Sequence, residues 1–117
     1  MAGENVKVSV RVRPPAEGSE SPSCAAVQQG ERSHVSTSDP TSGEKRRFAF
    51  DAVFSENDSN SRLYSVVASE LLDASLSGVN VTLLAYGQTG SGKTHTMFGS
   101  STSLGLVPSE VEDPNMV

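Results

Sequence analysis

Apolar positions along the chain change period several times, and each period predicts an element. Val6, Val8, Val10 and Val12 alternate with Lys7, Ser9, Arg11 and Arg13, a period-2 strand that Pro14-Pro15 ends. Residues 16–44 are rich in Ser, Gly and Gln, and two short runs within them, 25–29 and 34–37, are expected to form a small hairpin lobe. Phe48-Ala49-Phe50-Asp51-Ala52-Val53-Phe54 reads as one further strand, with Lys45-Arg46-Arg47 as its solvated entrance. Turn chemistry and an N-cap occupy 55–61. Leu63, Val66, Val67, Leu71 and Ala74 then recur at helical spacing as far as Gly78, a natural C-terminal stop. The run 79–86, Val-Asn-Val-Thr-Leu-Leu-Ala-Tyr, is short, apolar and β-branched, which predicts a strand buried on both faces. Residues 93–98 lack Gly and Pro and begin a second helix. Strand, helix, strand, loop, helix is an α/β order.

Between that last strand and helix stands Gly87-Gln88-Thr89-Gly90-Ser91-Gly92-Lys93-Thr94, a full match to G-x-x-x-x-G-K-[ST] in the strand–loop–helix context it requires. Each fixed position has a chemical reason. Glycines let backbone N–H groups converge on phosphate oxygens with no Cβ in the way. The Lys93 ammonium reaches the outer phosphates, and the Thr94 hydroxyl is placed to coordinate Mg²⁺. The pattern predicts a nucleoside triphosphate with its metal. In open α/β sheets ligands sit beyond the carboxyl ends of the strands. Arg11 and Arg13 end the first strand and Gly87 follows the third, so they are expected to border one crevice.

Composition narrows the partners. The 117 residues suffice for one domain and carry a formal net charge of −5. That balance argues against a nucleic-acid grip or a polybasic membrane patch. Cys24 is the only cysteine, which excludes an internal disulfide and a cysteine metal site. The first residues have no apolar leader and no run reaches membrane-spanning length, so a cytoplasmic protein is expected.

Four elements together resemble the kinesin motor domain. Val10-Arg11-Val12-Arg13-Pro14 is similar to the Arg-x-Arg-Pro element that ends the family's first strand. The Phe48–Phe54 stretch resembles its phenylalanine-aspartate-x-valine-phenylalanine strand, and residues 84–99 follow its signature at nearly every position. Gly105-Leu106-Val107-Pro108 resembles the next turn. The resemblance covers about 6–108. It implies the N-terminal third of an α/β, phosphate-loop NTPase-type sheet flanked by helices, with residues 109–117 as a divergent tail. It also implies ATP and Mg as cofactors, microtubules as partner and the cytoskeleton as location. Gly87 to Thr94 would hold the phosphates, Thr94 the Mg, and Arg11, Arg13, Pro14 and His95 would line the base side.

The family's switch I, switch II and neck-linker elements have no counterpart in the 117 residues, and no water-positioning group can be nominated. The chain is therefore expected to bind nucleotide without hydrolysing it alone, and not to bind microtubules in isolation. A truncated, non-motile nucleotide-binding or interaction fragment is one alternative, and another phosphate-loop ATPase or nucleotide kinase is a second. In the family the phosphate-loop strand takes its sheet neighbours from later sequence. With about 1–3 kcal/mol at stake per buried orphaned group against about 5–15 kcal/mol for a whole domain, the isolated chain is expected to be marginally folded.

Overall fold

A computed structural model describes residues 6–15, 17–18, 25–28, 33–101 and 103–107. The chain divides into two units, Met1–Asn57 and Asp58–Val117.

In the first unit, β1 (Ser9–Arg11) pairs in parallel with β5 (Ala52–Phe54), Val10 opposite Val53. The pairing runs past both ends: Val8 N–H donates to the Asp51 carboxylate at 2.7 Å, and Val12 N–H to the Phe54 carbonyl at 2.9 Å. The connection between these strands carries an antiparallel sheet in the order β2 (Ala25–Gln28), β3 (His34–Ser38), β4 (Lys45–Ala49). Its tight turn is built by Asp39, whose carboxylate accepts from the N–H groups of Thr41 (2.7 Å) and Ser42 (3.2 Å). Gly43 supplies the left-handed residue, φ 72°. Buried Val35, Val53 and Phe54 form the apolar centre of the unit.

The run 48–54 is therefore two half-strands. Phe50 N–H donates to the Ser33 carbonyl at 3.0 Å and closes the antiparallel ladder; Asp51 N–H donates to the Val8 carbonyl at 3.0 Å and opens the parallel one. The chain changes partners at one peptide, which alternation cannot reveal because both halves keep the period of 2. Lys45, Arg46 and Arg47 lie inside β4, opposite Ser38, Thr37 and Ser36, and not at a strand entrance. Arg47 Nη2 reaches His34 Nδ1, which is buried, at 3.1 Å.

The second unit opens with a continuous helical stretch, 60–76: α1 (Asn60–Leu63), a π-helical turn (Tyr64–Ala68) and α2 (Ser69–Leu76). Ser59 is the N-cap, its hydroxyl accepting from Arg62 N–H at 3.2 Å. At the far end Gly78 N–H donates to Ser75 O and Val79 N–H to Ala74 O, both at 3.0 Å. With Gly78 at φ 96° this is a Schellman stop at the predicted glycine.

The buried face differs from the expected one. Leu63, Ala68 and Leu72 are buried, whereas Val66 is exposed. The π turn, in which Ser69 N–H reaches back to Tyr64 O, inserts one residue. Every position after it rotates by about 100°, one residue's step in a 3.6-residue turn. Ser65 and Ser69 each donate a hydroxyl to the carbonyl four residues back, at 3.0 and 2.9 Å, which loosens a helical ladder locally.

Run 79–86 overturns a larger expectation. Among the described residues it belongs to no ladder. Its apolar residues are exposed except Leu83, which is half-buried: Leu84 is 84% exposed and Tyr86 102%. A strand buried on both faces needs neighbours at both edges, and none of the described strands takes that place. The chain then enters the loop, α3 (Lys93–Met97) and a hairpin of β6 (Gly99–Ser100) with β7 (Ser103–Leu104). Among the described residues no helix is long and apolar enough to cross a membrane.

Candidate phosphate-binding site

Residues 87–92 form a tight loop ahead of α3, and its glycines meet two different demands. Ser91 N–H donates to the Gln88 carbonyl at 3.0 Å, closing a turn. Gly92 stands at φ 106°, ψ 16° as the N-cap of α3, a backbone region that an L side chain adopts only with strain. Gly87 is the site of a close approach instead. A Cβ there would stand 2.5 Å from Ser91 Oγ, well inside van der Waals contact.

The Ser91 hydroxyl is the unusual atom. It is buried and has no hydrogen-bond partner, where buried polar groups ordinarily have one. Gln88, Thr89, Gly90, Lys93, Thr94 and His95 are exposed, and Gly87 and Gly92 are half-buried. An unsatisfied hydroxyl at the base of a glycine-lined loop, beside a solvent-facing ammonium and a threonine hydroxyl, is a donor set that fits phosphate oxygens and a hard cation.

The supports of the loop lie on its C-terminal side. Thr96 N–H donates to Gly92 O at 3.0 Å and Phe98 N–H to Thr94 O at 2.8 Å, so α3 is one compact turn. Its exit is folded back closely: a Cβ on Gly105 would stand 2.5 Å from backbone atoms of Gly99, Met97 and Phe98. Asn60, only 2% exposed, donates its side-chain N–H to the His95 carbonyl at 3.1 Å. Sequence reasoning missed that residue. Its one local sign is a polar side chain at the first position of a helix already capped by Ser59, and its partner lies 35 residues away.

Of the predicted site residues, Gly87 through His95 lie together in the second unit. Arg11, at the end of β1, and Arg13 and Pro14, just past it, belong to the first unit. Arg11 is half-buried; Arg13 and Pro14 are exposed.

The sequence profile of the kinesin motor domain matches residues 11–113. The chain belongs to the kinesin motor domain family. It is 37% identical over 113 residues to the claret segregational protein of Drosophila melanogaster, covering 92% of this chain and 16% of that one. It is 37% identical over 110 residues to kinesin-like protein KIN-7N of Arabidopsis thaliana, covering 94% of this chain and 13% of the relative. Among solved structures, the KIF14 motor with ADP in complex with a microtubule superposes with a TM-score of 0.82 at 33% identity, covering 92% of this chain and 32% of that chain. The chain thus spans under a fifth of those curated relatives and about a third of the solved kinesin motor. Its fold is a partial kinesin α/β motor domain, of a family that uses nucleotide.

Proposed function

We propose that residues 87–94 grip the phosphates of ATP as the N-terminal share of a kinesin nucleotide site, in a protein that hydrolyses ATP to move on microtubules. The observation that carries this reading is the buried, unpartnered Ser91 hydroxyl in a loop where Gly92 takes a left-handed backbone and Gly87 leaves room for Ser91 Oγ. Lys93 neutralises the outer phosphates and Thr94 ligates Mg²⁺, while the loop N–H groups orient the anion. Thr94 would hold Mg²⁺, and the ion would supply positive charge against the phosphates. Resemblance to the family assigns His95, and separately Arg11, Arg13 and Pro14, to recognition of the base, and the cytoskeleton is the place of work. The related KIF14 structure, with ADP and a microtubule, supports both the ligand class and the partner.

Titration of the chain with a fluorescent ADP analogue and Mg²⁺ tests the grip. Lys93→Ala is expected to weaken binding about 10- to 100-fold, the worth of one charged hydrogen bond. Equal affinity in the two proteins refutes the assignment. The ladder-free run 79–86 favours a narrower second reading, in which this stretch alone binds nucleotide without engaging microtubules. Co-pelleting of the isolated chain with microtubules at physiological salt would exclude it.

A further inference from the structure

The phosphate loop is followed by a helix of five residues, too short to hold its own geometry. Isolated helices below about 12–15 residues are marginal in water, so α3 must be fixed from outside. Its last carbonyls are the weak point. An α-helix leaves its final C=O groups without intrahelical donors, and His95 O is one of these: the residue four further on, Gly99, has left the helix at φ 85° and pairs with Leu104 in the β6–β7 hairpin.

Asn60 answers that carbonyl. Its Nδ2 donates to His95 O at 3.1 Å from a position only 2% exposed. The amide is itself held at a rigid point of the chain. Ser59 Oγ caps Arg62 N–H at 3.2 Å, Leu63 N–H donates to Ser59 O at 3.1 Å, and Arg62 Nε pairs with the Asp58 carboxylate at 3.0 Å. Leu63, buried three residues on, anchors the same turn.

We infer that Asn60 is a positioning residue for the phosphate loop: by capping the C-terminal end of α3 it sets the placement of Lys93 and Thr94 at the other end of the same turn. It touches no ligand and acts through the His95 carbonyl. The inference rests on the nucleotide-binding reading for its consequence, but its structural core does not.

The experiment therefore has a ligand-free arm. Amide hydrogen exchange of Thr96 and Phe98, whose N–H groups hold α3 together, is followed in the nucleotide-free full chain. Asn60→Asp keeps the shape but, when ionised, presents only acceptors to the carbonyl; Asn60→Gln keeps the donor. Exchange at Thr96 and Phe98 is expected to speed up about tenfold in Asn60→Asp and to return towards the parent rate in Asn60→Gln, consistent with one lost hydrogen bond to a buried group. Leu72→Val, a core substitution in α2, serves as the control for general loss of stability and leaves those two amides in step with the rest of the unit.

In the second arm, affinity for the fluorescent ADP analogue with Mg²⁺ falls about five- to tenfold in Asn60→Asp and stays near the parent value in Leu72→Val. Unchanged Thr96 and Phe98 exchange in Asn60→Asp, or an acceleration at those two amides beyond the rest of the unit in Leu72→Val, overturns the positioning role whatever the nucleotide does. Faster exchange with unaltered nucleotide affinity overturns the link to the loop. A parent chain that binds no nucleotide refutes the proposed function and leaves the first arm to decide on Asn60.

Discussion

Leu84 and Leu63 make opposite predictions from identical chemistry, and the pair decides whether 79–86 is a buried strand. Each is changed to Ala. Leu63 is 4% exposed, and removing a core leucine costs about 2–5 kcal/mol through lost transfer energy and the cavity left behind. Leu84 is 84% exposed, so roughly a sixth of its surface is covered; against about 1.5–3 kcal/mol for full burial, at most about 0.5 kcal/mol is available to lose. The gap between the two variants is thus at least about 1.5 kcal/mol. Urea unfolding followed by far-UV circular dichroism reads it directly, with equal slopes required before midpoints are converted to free energies. In a thermal scan the same gap is a Tm difference of about 6–12 °C for a domain near this size. A loss above about 1.5 kcal/mol on Leu84→Ala would refute the reasoning and put the run inside a sheet.

Two glycines on this fold should respond differently to asparagine. Gly78, left-handed with open space around a would-be Cβ, is expected to lose about 1 kcal/mol as Ala and recover part of it as Asn; Gly105, whose Cβ would meet backbone atoms at 2.5 Å, is expected to lose about 2 kcal/mol or more as Ala and further stability as Asn. Thermal melts of the four variants check the order, and recovery by Asn at 105 would contradict it. Ser59→Ala removes the cap on Arg62 N–H and should cost about 1 kcal/mol, read as a lower urea midpoint. The Thr41 and Ser42 N–H groups hold the Asp39 carboxyl below its ordinary range. The turn's contribution is therefore complete above the unfolded aspartate pKa and lost as pH falls through the lower folded value; an NMR titration placing Asp39 at or above the ordinary range would refute this.

What could be read from the sequence divides along the distance over which each element is decided. The N-cap expected within 55–61 falls at Ser59 and the helix stops at Gly78 as expected, because both depend on residues within a few positions. The hairpin runs 25–29 and 34–37 lie at β2 and β3 for the same reason, a short antiparallel pairing between near neighbours. Errors begin where a partner chooses the structure. Phe50 bonds Ser33 and Asp51 bonds Val8, so a run with one period serves two sheets. In the helix a single extra residue between Tyr64 and Ser69 replaces Val67 by Ala68 on the buried face, and a periodicity count assumes no such insertion. Asn60 and His95 are the extreme case: neither residue carries a local sign of the other.

The run 79–86 bears on the expected marginal stability in a different way. The expected marginal stability has two sources, backbone groups unpaired along both edges and apolar faces left partly bare. The structure shows the second strongly: Val79, Val81, Leu84 and Tyr86 are all exposed, so backbone groups beside them can be solvated and the penalty of about 1–3 kcal/mol per buried orphan is reduced. The cost moves to apolar surface left in water, at about 25 cal/mol per Å². That cost has a direction, since any surface that covers the run recovers it. Tyr86 immediately precedes Gly87, so covering the run also fixes the entrance of the phosphate loop, just as Asn60 fixes its exit. Nucleotide grip and burial of 79–86 should therefore be coupled, and a ligand that orders the loop should lower the exposure of Tyr86.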